Sequence, residues 1–87
     1  MLTEKQAWAR VAETLRERAA AGTHRGICMR ILNLHDNDRI SARTCGKMLD
    51  AVDRAKVRLK REPFPYLWPL DAEGHKKRIA FCLRRAK

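Results

Sequence analysis

Eighty-seven residues, 45% hydrophobic and 34% charged, are enough for one modest core and too apolar for a disordered tail. The formal net charge of +10 is unevenly placed: residues 1–53 carry nine Lys/Arg against seven Asp/Glu, a net of +2, whereas residues 54–87 carry eleven against three, a net of +8. A second domain is excluded by length, and the C-terminal third is set up for negative partners, whether phosphate backbones, acidic protein surfaces or anionic lipid.

Thr3 followed by Gln6 has the capping-box spacing, so a first helix starts there. Trp8, Val11, Ala12, Leu15 and Ala19 then recur at three- and four-residue steps on one face, and Gly22 ends the element. A shorter second helix is expected from Gly26 to His35 with Ile27, Cys28, Ile31 and Leu32 inward, followed by the turn signal Asp36-Asn37-Asp38. Ser41 is a suitable N-cap for a third helix, with Ile40 placed to staple against Cys45. Its inward stripe is Cys45, Met48, Leu49, Val52, Ala55, the stem of Lys56, and Leu59, continuing to about Arg61. Pro63 and Pro65 forbid continuation.

The segment Pro63-Phe64-Pro65-Tyr66-Leu67-Trp68-Pro69-Leu70 reads as an extended arm of low conformational entropy. Phe64, Leu67 and Leu70 are expected to hold the last helix against the core and to partner Trp8, while Tyr66 and Trp68, two residues apart, are candidates for a binding anchor. Asp71 caps a fourth helix in which Ile79, Cys82, Leu83 and Ala86 share a face. No strand signal competes. The expected fold is all-α, a compact single domain over residues 1–87 with about four helices and a proline-rich arm before the last.

Three cysteines, Cys28, Cys45 and Cys82, occur singly and in odd number, which fits a reducing compartment. The opening Leu2-Thr3-Glu4-Lys5 is not a basic and then apolar leader, and no apolar run nears the roughly 18 residues that span a bilayer. His24 and Cys28 could share a helix face, but His35, Cys45, His75 and Cys82 stand apart, so no metal or other cofactor is expected. Nothing local pairs Cys45 with a base, and the four glycines form no phosphate-cradling loop, so no catalytic residues are assigned and the protein is read as a non-enzyme.

The candidate binding residues are basic. Arg54, Arg58 and Arg61 share one face of the third helix, and Lys76, Lys77, Arg84 and Arg85 form a second cluster on the fourth, joined by Tyr66 and Trp68 from the arm. The two clusters converge if helices three and four pack side by side. Residues 26–49 can also be arranged as a DNA-binding helix-turn-helix with Arg43 and Lys47 early in the second helix, although Asp36, Asp38, Asp50 and Asp53 oppose a phosphate backbone there.

The pattern Arg39-Ile40-Ser41-x-x-Thr44-x-x-x-Met48-Leu49, then Tyr66-Leu67-Trp68-Pro69-Leu70-Asp71-x-Glu73-Gly74, then Arg78-x-x-Phe81-Cys82, resembles small uncharacterised helical proteins of phages and prophages. Those often show G-x-I-S-x-x-T, W-P-L-T-P-E-G and an Arg-rich last helix. Here Asp38 stands where glycine often precedes the turn, and Asp71-Ala72 replaces Thr-Pro. The resemblance covers residues 39–82, carries no known activity, and implies a mobile-element origin and a bacterial host cytoplasm. The expected function is a non-enzymatic accessory protein that docks a basic face on a host nucleic acid, nucleoprotein or acidic protein surface. An inhibitor of a bacterial defence complex, of the anti-CRISPR kind, is one concrete form. The alternatives are the helix-turn-helix regulator and a self-associating virion or assembly component.

Overall fold

The computed structural model describes residues 1–17, 24–55 and 72–87, with side chains over 1–17, 26–55 and 76–87. Four helices lie in this span: α1 (Glu4–Glu17), α2 (His24–Asp36), α3 (Ala42–Ala55) and α4 (Ala72–Ala86). No strand occurs among the described residues, and the fold is all-α. The proline-rich arm, Arg58, Arg61, Tyr66, Trp68 and the expected cap Asp71 lie outside the described residues, as do Ala19, Gly22 and the expected continuation of α3 to Arg61.

The N-termini of α1 and α3 form as their sequences dictate. The Thr3 backbone N–H donates to Gln6 Oε1 at 2.9 Å and the Gln6 N–H donates back to Thr3 Oγ1 at 3.2 Å, a reciprocal capping box on α1. Ser41 caps α3 by accepting the Thr44 N–H at 3.1 Å on its Oγ, and Ile40 and Cys45 are both buried in the same apolar cluster.

The C-terminus of α2 closes on a left-handed residue that is not glycine. Asp38 has φ 57°. Its N–H donates to the His35 carbonyl at 3.0 Å and the following Arg39 N–H reaches the Leu34 carbonyl at 2.8 Å, the paired bonds of a Schellman motif. The Leu2 N–H donates to the Arg39 carbonyl at 2.7 Å, which ties the start of the chain to this turn.

In the packing, α1 lies chiefly against α4, and α2 against both α1 and α3. Trp8, Val11 and Leu15 of α1, Ile31 of α2 and Met48 and Val52 of α3 are buried in one core, as their spacing predicts. Four expectations need correction. Leu32 is 38% exposed and Leu34 takes the inward place. At about 100° per residue, 27, 31 and 34 fall within one narrow sector, while 32 lies about 100° beyond 31. For the same reason Leu49 sits half-buried beside the Met48, Ala51, Val52 and Ala55 stripe of α3. The inward face of α4 is Arg78, Phe81 and Cys82, leaving Ile79, Leu83 and Ala86 only partly buried at its edge. Finally, α2 begins at His24, so Gly26 lies inside its first turn rather than opening it.

Candidate anion-binding face

With its inward face fixed by Phe81 and Cys82, α4 has its opposite side determined as well. Lys76, Lys77, Ala80, Arg84 and Lys87 are all exposed. They fall in a sector about 100° wide and run about 16 Å along the helix and its last residue. Among the described side chains this stripe carries four cations and no acid. Convergent cations of this kind contact a polyanion at several points at once.

The structure separates two neighbours that sequence alone grouped together. Arg84 points outward, whereas Arg85 is half-buried with its guanidinium carbon 4.9 Å from the Phe81 ring centroid and 5.8 Å from that of Trp8. Arg85 is thereby a cation held over aromatic faces at the edge of the core. Behind the stripe, burial pushes the Cys82 thiol up to about 12 against an opposing pull from Arg85. Cys45 is raised by burial and by Asp36. Both therefore remain protonated thiols at neutral pH.

Of the other cluster the structure describes only Arg54. Arg54 is exposed on the last turn of α3, but the principal neighbour of α3 is α2 and that of α4 is α1, so α3 and α4 are not packed side by side as a main pair. The outer side of α3 mixes signs, with Arg43, Lys47 and Arg54 exposed around Asp50. The α2–turn–α3 pair of the helix-turn-helix alternative does form, and Asp36, Asp38, Asp50 and Asp53 are all exposed on it.

A third cationic feature was not legible in the sequence. Arg10 of α1, Arg30 of α2 and Arg39 of the following turn are 20 and nine positions apart along the chain, and the fold brings all three to one open cleft. No local charge run marks them; only knowledge of the α1–α2 packing would have grouped them. Among the described residues no helix is long and apolar enough to cross a membrane. In comparisons with known proteins, no family model matches the chain, and no curated protein or solved structure matches it significantly.

Proposed function

We propose that this chain is a non-enzymatic phage or prophage accessory protein that docks the outer face of α4 onto a host polyanion, a nucleic acid or a nucleoprotein in the first instance and an acidic protein surface otherwise. The observation that carries the reading is the stripe of Lys76, Lys77, Arg84 and Lys87, exposed together on the outer side of α4. The resemblance of residues 39–82 to phage proteins supports the mobile-element origin, and inhibition of a bacterial defence complex is one form that such docking takes.

The test is binding to a short duplex across a salt series. If about four phosphates are neutralised, log K against log salt falls with a slope near −3 to −4. The double variant Lys76→Glu/Arg84→Glu, both positions exposed, should lose that binding while keeping its melting temperature. A flat salt profile, or undiminished affinity in the double variant, would sink the reading. Strong preference for one duplex sequence would move it to the α2–α3 regulator. Capture from a bacterial lysate with and without nuclease separates a nucleic acid from a protein partner.

A further inference from the structure

The cleft that sequence reading missed lies on the far flank of α1 from α4: Arg10 is two residues, about 200° of helical rotation, from Trp8, which packs on Phe81. It has a volume of about 320 Å³. Arg10 contributes from α1, Arg30 and Asn33 from one side of α2, and Asn37 and Arg39 from the Schellman turn, with Leu2 and Leu34 as the apolar part of its lining. Asp36 at the end of α2 and Asp38 in the turn do not line it, and among the described residues no acid does.

Hydrogen bonding inside the cleft leaves donors and occupies the Asn33 side-chain oxygen. Arg30 Nη1 donates to Asn33 Oδ1 at 3.0 Å, and the same oxygen accepts Asn37 Nδ2 at 3.3 Å, so the Asn33 amide has only its NH₂ left to offer. Arg30 Nε is buried and has no hydrogen-bond partner. A buried guanidinium N–H without an acceptor is a group that a native structure rarely leaves unmatched. The arginines are not needed as helix caps either. The Asn33, Leu34 and His35 carbonyls near the end of α2 already accept from Asn37, Arg39 and Asp38.

We propose that this cleft is a binding site for a phosphate group. Three guanidinium forks arriving from separate elements suit a tetrahedral anion with three or four oxygens, whereas a planar carboxylate has two oxygens and is matched by one fork. The volume is at the low end for small-molecule sites, which fits inorganic phosphate or a mononucleotide and leaves no room for a duplex. Leu2 and Leu34 give a nucleoside or other organic moiety an apolar surface beside the phosphate. This site is independent of the α4 face and stands whether or not that face binds a polyanion.

The experiment is calorimetric titration of the full chain at constant ionic strength with inorganic phosphate, AMP and adenosine. Phosphate and AMP are expected to bind one per chain and adenosine not at all. Phosphate as tight as AMP identifies the free anion as the ligand class, and tighter AMP identifies a nucleotide. Arg30→Gln should weaken binding about ten- to hundredfold, the loss of charge-assisted hydrogen bonds to the anion. Asn33→Asp places a carboxylate in the cleft and should abolish binding. Arg10→Gln, at an exposed position, gives the same direction of change in a variant with no reason to misfold. Lys76→Glu/Arg84→Glu should bind phosphate like the parent. Millimolar phosphate and AMP both failing to bind, equal affinity in Arg10→Gln and Arg30→Gln, or binding lost with the α4 double variant would each overturn the proposal.

Discussion

The Trp8 and Phe81 rings meet edge to face, 5.6 Å between centroids and 84° between planes, and this contact joins α1 to α4. Trp8 is fully buried, and its Nε1–H is satisfied one turn back by Glu4 Oε2 at 3.2 Å, so a bulky polar-tipped side chain sits inside without an orphan donor. Phe81→Ala should cost about 3 to 5 kcal/mol. Phe81→Leu keeps most of the apolar volume and should cost less. Arg85→Gln should cost about 0.5 to 1 kcal/mol in the parent and much less in the Phe81→Leu background, because Arg85 lies closer to the Phe81 ring than to Trp8. Equal cost in both backgrounds, measured by urea unfolding, would remove the stacking from the account.

Asp38 occupies the left-handed position of the α2 Schellman turn, a place glycine takes without steric cost. Asp38→Gly should therefore raise stability by about 0.5 to 1 kcal/mol, the relief of the left-handed strain less the added freedom of the unfolded chain. Asp38→Ala keeps the strain and should give no such gain. A glycine variant less stable than the parent would mean that the Asp38 carboxylate contributes more than its backbone strain costs.

The buried Cys82 thiol ties stability to alkaline pH. Its ionisation is held up to about 12 in the folded chain, against an ordinary value of 9.0. As pH rises the unfolded chain gives up this proton first, so the contribution is fully present below about pH 9 and is lost on the way to 12, at no more than about 1.4 kcal/mol per pH unit. Cys82→Ala should show a shallower decline of unfolding free energy between pH 8 and pH 10.5 than the parent. Parallel curves would place the thiol in contact with solvent. Native alkylation should reach half-buried Cys28 well before Cys82.

Helical spacing revealed the all-α fold, the N-caps of α1 and α3 and most of the first three inward stripes, because these depend on interactions within a few residues. Distinctions finer than one helical step were harder. Met48 and Leu49 are equally apolar, but Met48 is fully buried and Leu49 lies at the flank; Met48→Ala should cost about 2 to 5 kcal/mol and Leu49→Ala clearly less. Comparable losses would shift the register of α3. On α4 the inward stripe was disguised by charge: buried, partnered Arg78 and half-buried Arg85 flank Phe81 and Cys82, so a count of apolar residues settles on Ile79, Leu83 and Ala86 instead. The basic character of α4 was plain from composition, whereas which of Arg84 and Arg85 faces outward required the core beneath them. The three-arginine cleft has no sequence signature because its members meet only through tertiary packing.

The pairing of α1 with α4 also bears on how the protein is made. Trp8 leaves the ribosome long before Phe81; at about 5 to 20 residues per second, the intervening stretch takes about 4 to 15 seconds to synthesise. Over that interval the apolar side of α1 has no α4 to rest on, so the nascent chain presents an indole that chaperones can hold. Completion of this fold waits on the arrival of Phe81.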